Sequence, residues 1–356
     1  MTFPAIQVLR AVAALAVVYY HAVVQLRTGL GRADPALAEF GAWGVDLFFV
    51  ISGFVMWAST AGRTVSPGEF YRRRIVRIAP LYWGVTAFAA MVALAAPHLL
   101  RSTVVDGAHV AASFLFVPWP NPGLAPSHPD VLSPLVIPGW TLNYEMFFYL
   151  LFGACLIVPQ RLRPLAIAVL LAGSMIVARH LAPTLPIAAF YGSTMLLEFL
   201  GGVLIGVVAE RLRWNAPDRL AWVSIGSLLV ALCLAEAAGA LSSRALYLGP
   251  LAAATIAVAV AADRNRIKRS PSLQTLGDAS YSIYLIHIFV IAGLRVAVTR
   301  SGIEVRDVAG ELAFVATALI ASALAGYALH RVFERPATLF ASRVLPAARR
   351  PAPLPC

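Results

Sequence analysis

Apolar runs of membrane-crossing length recur along the chain, separated by short polar connections rich in arginine. In order they are Ile6–Leu26, Phe40–Thr60, Pro80–Leu100, Gly139–Val158, Pro164–Ala182, Pro186–Ala209, Leu220–Ala235, Ala245–Ala262, Leu276–Val298 and Val308–Leu329. A helix crossing a bilayer needs roughly 20 predominantly apolar residues, and each run approaches or meets that length. The pattern predicts an all-α polytopic bundle of about ten transmembrane spans. The first run lacks the basic flank of a secretory leader and nine similar runs follow it, so it reads as a retained span. The membrane bundle is expected to fill residues 1–340, leaving 341–356 as a short basic, Pro-rich tail.

Composition narrows the class. Of the 356 residues, 60% are hydrophobic and 13% charged, with a mean hydropathy of +0.79. Soluble domains run at about 45–50% apolar and about 25% charged, so an ordinary water-soluble, fibrous or disordered chain is excluded. The net charge is +11. The basic residues sit in the connections between apolar runs, which marks topology and attraction to anionic lipid headgroups; nucleic acid is not expected as a partner. With the N-terminus placed in the cytoplasm, 19 of the 28 basic residues fall in cytoplasmic connections and the tail, against 7 outside. That asymmetry predicts both termini inside and an even number of crossings. The cysteines Cys155, Cys233 and Cys356 show no CxxC spacing, and neither a disulfide framework nor a metal site is expected.

The connection from Arg101 to Pro138 differs from the rest. It is long, falls on the outer side and holds seven prolines, which remove backbone donors and discourage helix. Its stretch Ala108–Val117 is apolar but too short to span. A cover over the bundle and a loose external loop are equally compatible with it.

Ionisable side chains inside spans are costly and usually face the protein interior. Six stand out: Arg10, His21, Asp46, Glu145, Glu198 and His287. Arg10 and His21 lie eleven residues apart. Eleven steps of 100° close to within about 20° of three turns, so the two share a helix face roughly 16 Å apart along the axis. His21 is the side chain best suited to move a proton near neutral pH. Glu145, among aromatics in Trp140-Thr141-Leu142-Asn143-Tyr144-Glu145, has three roles open to it. It can orient an imidazole, bind a hydroxyl or pair with an arginine. Asp46, near the outer end of its span, reads as mainly structural. The segment Tyr71-Arg72-Arg73-Arg74-Ile75-Val76-Arg77 suits an amphipathic helix at the inner interface. It serves equally as a topology anchor or as a phosphate clamp, since guanidinium forks match phosphate oxygens.

The ordered series of motifs resembles the acyltransferase-3 family of bacterial integral membrane proteins. The series runs from Leu9-Arg10-Ala11 through His21, then Gly44-Val45-Asp46-Leu47-Phe48-Phe49 to Phe54, then Arg73-Arg74-Ile75-Val76-Arg77-Ile78-Ala79-Pro80. Trp140-Thr141-Leu142 with Glu145, Phe148 and Tyr149 follows. Ser280-Tyr281-Ser282-Ile283-Tyr284-Leu285-Ile286-His287 and Glu334-Arg335-Pro336 complete it. The resemblance covers about residues 5–340. It implies an O-acyltransferase of the bacterial cytoplasmic membrane that uses acyl-CoA, usually acetyl-CoA, as co-substrate from the cytoplasm. The acceptor it implies is a hydroxyl of a glycan or other cell-envelope molecule.

On that footing Arg10, Arg73, Arg74 and Arg77 are the expected donor-binding residues, and His21 and Glu145 the expected catalytic ones. Structural or acceptor-side places fall to Asp46, Trp140, Tyr149, Ser280, Tyr281 and His287, with His287 as a structural control. Direct transfer and relay through an acyl-enzyme both remain open. The short tail implies that no soluble esterase-like domain is fused after the membrane part. A transporter or flippase without acyl chemistry is the competing class, and labelled acetyl-CoA would discriminate the two.

Overall fold

In the computed structural model the described residues are 3–32, 34–96, 103–124, 131–211, 218–239, 243–244, 246–263 and 271–345. Among them the chain is helical, and an isolated bridge between Pro120 and Leu132 is its one β contact. The long helices are α1 (Pro4–Gly29), α2 (Gly44–Thr60), α3 (Pro67–Ala95), α5 (Trp140–Ala154) and α6 (Arg163–Leu181). They continue with α8 (Leu196–Arg211), α9 (Asp218–Ala237), α10 (Leu248–Asp263), α12 (Ser280–Arg300) and α13 (Val308–Leu329). Short helices α4 (Gly107–Phe114), α7 (Pro186–Tyr191), α11 (Pro271–Asp278) and α14 (Arg335–Val344) connect or extend them.

Among the described residues, seven helical segments are long and apolar enough to cross a membrane, and three shorter apolar helices, Gly44–Thr60, Ala221–Ala237 and Leu248–Ala262, accompany them. The outward faces carry Leu165, Val169, Ile176, Val230, Leu234, Ile320 and Leu324, all exposed. Such a girdle would be an aggregation surface in water and is an ordinary solvent contact in lipid. The chain is therefore a multi-pass membrane protein.

The arginine-rich segment is not a separate interfacial helix ahead of a span starting at Pro80. It is the first third of α3, which runs unbroken from Pro67 with Pro80 inside it. Ser66 accepts the Glu69 N–H at 3.3 Å, and Pro67 occupies the first turn. Cap and proline together start the helix early, before the apolar pattern begins. The expected span Pro186–Ala209 matches the apolar segment Ile187–Arg211, which a turn after Tyr191 divides into α7 and α8.

Close approach of α2 and α8 sets the middle of the bundle. A Cβ on Gly53 would fall 1.9 Å from the Phe199 carbonyl oxygen, and one on Gly202 would fall 2.0 Å from that of Val50. Only glycine permits this spacing, the small-residue packing typical of membrane helices. At the α2 entrance, Glu236 of α9 accepts the N–H groups of Gly41 at 2.8 Å and Ala42 at 3.1 Å. A carboxylate from a distant helix thus satisfies donors that the local sequence leaves open.

Where it is described, the Pro-rich connection packs against α3. Asp106 caps α4 by accepting the His109 N–H at 2.8 Å. Trp83 of α3 donates to the Phe114 carbonyl at 2.8 Å. The Leu135 N–H reaches the Ser113 hydroxyl at 2.9 Å, and Tyr82 stacks on Phe116 with centroids 4.7 Å apart. At the other end of the chain α13 passes through a π-helical segment, His330–Glu334, into α14. Helix therefore continues beyond position 340 to Val344, and 346–356 lies outside the described residues. So do Arg101 and the basic group Arg264, Arg266, Lys268 and Arg269.

Candidate functional site

α1, α2, α3, α5 and α12 enclose a cavity. Arg10, Arg74 and Arg77 line one part of it, and Glu145, Ser52 and Tyr149 another. Arg10 sits six residues into α1 and Arg74 and Arg77 share one face of α3, so the helix starts themselves deliver three guanidinium groups to one space.

Their partners differ. Arg77 pairs with Glu334, a nearly fully buried carboxylate that also accepts from the Ser282 hydroxyl at 2.6 Å and contacts His330 at 2.9 Å. The π-helical turn places it there, and such bulges recur at functional sites. Arg10 reaches only the Gln7 side-chain oxygen, at 3.4 Å. Arg74 lies over the rings of Phe70 and Tyr149, 5.5 and 5.9 Å from their centroids, with its Nε buried and unbonded. Arg73 points elsewhere: it pairs with Glu69 at 2.6 Å, is half exposed and does not line the cavity. Of the four expected donor-binding arginines, the fold brings three together and leaves Arg73 outside.

Glu145 accepts hydrogen bonds from Ser52, at 2.9 Å, and from Tyr149. Among the described residues it hydrogen-bonds to no imidazole, so the structure does not make it the group that orients His21. Tyr281 lines the cavity and donates to the Ile78 carbonyl at 2.9 Å, while Arg77 lies 5.8 Å over its ring. Trp140 opens α5 and packs edge-on against Tyr144 at 5.9 Å, outside the cavity lining. Ser280 is buried with an unbonded hydroxyl.

His21 lies further along α1, outside the cavity lining, and meets α12. Its Nδ1 is 3.2 Å from Nε2 of His287. His287 is therefore no remote control, since the first-helix histidine rests on it directly. Tyr284 touches both regions: it lines the cavity, and its ring lies 5.9 Å from that of His287. Its hydroxyl meets the Thr141 hydroxyl at 3.0 Å.

Asp46 is fully buried and paired with Arg244, whose Nε lies 3.1 Å from its carboxylate and whose guanidinium also donates to the Ala42 carbonyl at 3.1 Å. Glu198 brings its carboxyl to the same place. The sequence does not reveal this pair, because nothing local links positions 46 and 244. Nor does it mark Ser52 or Tyr284 as cavity residues, although both stand inside the motif series. Among the described residues there is no cluster able to hold a metal ion.

Fold and site thus define a polytopic helical membrane protein with an arginine-lined cavity and a histidine pair further along the first helix. The profile of the acyltransferase domain, acyltransferase 3, matches residues 3–331. The chain is 36% identical to the exopolysaccharide production protein ExoZ of Rhizobium meliloti (strain 1021), over 83% of this chain and 89% of that one. It is 28% identical to the acyltransferase MdmB of Streptomyces mycarofaciens, over 98% and 95% of the two chains. It is also 28% identical to nodulation protein 10 of Rhizobium leguminosarum bv. viciae, over 80% and 81%. No solved structure matches. The chain belongs to the acyltransferase-3 family, and it is an enzyme that transfers acyl groups.

Proposed function

We propose that the protein moves an acyl group, most simply acetyl, from cytoplasmic acyl-CoA to a hydroxyl of a glycan or other cell-envelope acceptor. It would do so in the bacterial cytoplasmic membrane, with ten crossings and both termini inside. One observation carries the reading: the cavity is lined by three guanidinium groups and one carboxylate, and Arg10 and Arg74 have no carboxylate bonded to them. Partly buried cations with no carboxylate bonded to them favour an anion, and the phosphates of CoA supply one. The relatives' names extend the reading to the acceptor, since one is an exopolysaccharide production protein.

In this reading the CoA phosphates meet Arg10, Arg74 and Arg77, and the pantetheine arm runs along α1, about 16 Å from Arg10 to His21. His21 takes the proton of the acceptor hydroxyl while the oxygen attacks the thioester carbonyl. The C–S bond breaks, and the thiolate of CoA leaves and receives that proton. General-base assistance of this kind is effective when the base is held within hydrogen-bond reach of the hydroxyl. Glu145, held by Ser52 and Tyr149, does not reach the imidazole, and its place in the cavity wall suits it to hold the donor arm.

The test is purified protein with labelled acetyl-CoA. Label should pass to an envelope glycan fraction, and Arg74→Ala should raise the apparent KM for acetyl-CoA about 10- to 100-fold, the loss of one charge-assisted contact of about 1.5–3 kcal/mol. Arg73→Ala should leave it within about twofold, because an exposed pair is worth little. Equal effects at positions 73 and 74 would remove the cavity as the donor site.

Topology has its own check. In a background without native cysteines, a cysteine at position 304, in the α12–α13 turn, should label from outside intact cells. A cysteine at position 63, between α2 and α3, should label only after permeabilisation. Labelling of both from one side would refute the arrangement.

A further inference from the structure

We infer that His287 is a positioning residue that holds His21 in one tautomer, with the proton on Nδ1 and the Nε2 lone pair free to act as the base. The inference rests on the reading of His21 given above. Nδ1 of His287 lies 2.6 Å from the Tyr284 carbonyl oxygen. A carbonyl only accepts, so this nitrogen carries the hydrogen, and in the neutral ring Nε2 is then an acceptor. That Nε2 faces Nδ1 of His21 at 3.2 Å. The same His21 nitrogen lies 3.0 Å from the Val17 carbonyl oxygen, which again only accepts. Two carbonyls on two helices thus force one assignment: His21 Nδ1–H is shared between Val17 and His287, and both rings are δ-protonated.

The remaining nitrogen of His21 makes no hydrogen bond to a described residue. His21 keeps partial exposure whereas His287 is fully buried, and the rings are tilted by 57° with centroids 4.9 Å apart. The buried ring is the template and the partly exposed one the base. A second ring nitrogen's hydrogen bond selects the tautomer of a working histidine in general. Here the orienting group is a neutral imidazole and not a carboxylate. It fixes the ring without stabilising an imidazolium, so the proton taken from the acceptor must pass on promptly to the departing thiolate.

Spectroscopy and kinetics test this together. In protein labelled with ¹⁵N-histidine, with His21 assigned by the resonances lost in His21→Asn, the resting enzyme should show His21 protonated at Nδ1. Protonation at Nε2 overturns the inference whatever the variants do. His287→Leu keeps bulk and removes the acceptor. It should mix the His21 tautomers and lower kcat about 10- to 100-fold, as loss of an orienting partner does, with KM for acetyl-CoA unchanged. His287→Gln, which returns an acceptor near the position of Nε2, should recover most of the loss.

Wild-type kcat and an unchanged His21 spectrum in His287→Leu would overturn the positioning role and leave His21 as the base. So would a His287→Gln protein as slow as His287→Leu with the His21 tautomer intact. Full turnover in His21→Asn would instead overturn the reading beneath it.

Discussion

Replacing His21 by alanine is expected to lower acyl transfer by about 10²–10⁴-fold, the usual worth of a positioned general base, with acetyl-CoA binding retained. The separation of effects follows from the geometry. Arg10, Arg74 and Arg77 line the cavity and His21 does not, so removing the imidazole leaves the anion-binding groups in place. Packing is disturbed little, because His21 is partly exposed and its contacts are a carbonyl on its own helix, the edge-on ring of Tyr20 and one ring on α12. The measurement is turnover with purified protein at matched amounts, beside a direct binding assay for acetyl-CoA. Turnover within a few-fold of wild type would exclude His21 as the base. Lost donor binding would instead return the residue to the donor site.

The sequence made the helices readable and left most of the contacts between them hidden. Period and hydropathy mark a helix because each turn repeats the signal locally, and the ten apolar runs correspond to helices. Boundaries failed where polar residues continue a helix, as at Pro67–Ala79, where a serine cap outweighs the missing hydrophobicity. The turn after Tyr191 left no such mark, because the run Ile187–Arg211 stays apolar through it. The pairs that build the site are Arg77 with Glu334, Asp46 with Arg244, and His21 with His287, and each joins residues about 200 or more positions apart. No spacing rule on a single helix can report them. The 100° arithmetic placed Arg10 and His21 on one face, yet sixteen ångströms of rise give them different neighbours, the cavity for one and α12 for the other. What the sequence did offer at His287 was an ionisable group in an apolar helix, which signals that a partner exists without saying which.

Glu334 carries the largest expected effect on the fold. It is almost fully buried and is held by Arg77, by the Ser282 hydroxyl and by His330. Removing one member of a buried pair leaves the other uncompensated, which typically costs about 3–5 kcal/mol. Arg77 keeps about a third of its side-chain surface exposed, so water relieves part of the loss and about 2–3 kcal/mol is the better expectation. Glu334→Ala should therefore lower the unfolding midpoint in detergent clearly more than Ser282→Ala, which removes one hydrogen bond worth about 1 kcal/mol. Arg77→Ala combined with Glu334→Ala should be less damaging than the two single losses added, because the double variant leaves neither charge stranded. The same cycle run on donor affinity separates the two duties of Arg77. If Arg77 also meets the CoA phosphates, Glu334→Ala frees its guanidinium and tightens acetyl-CoA binding in the protein that remains folded, while Arg77→Ala weakens it. Strict additivity in stability, with donor affinity indifferent to both substitutions, would reduce Arg77 to a structural tie and leave the anion site to Arg10 and Arg74.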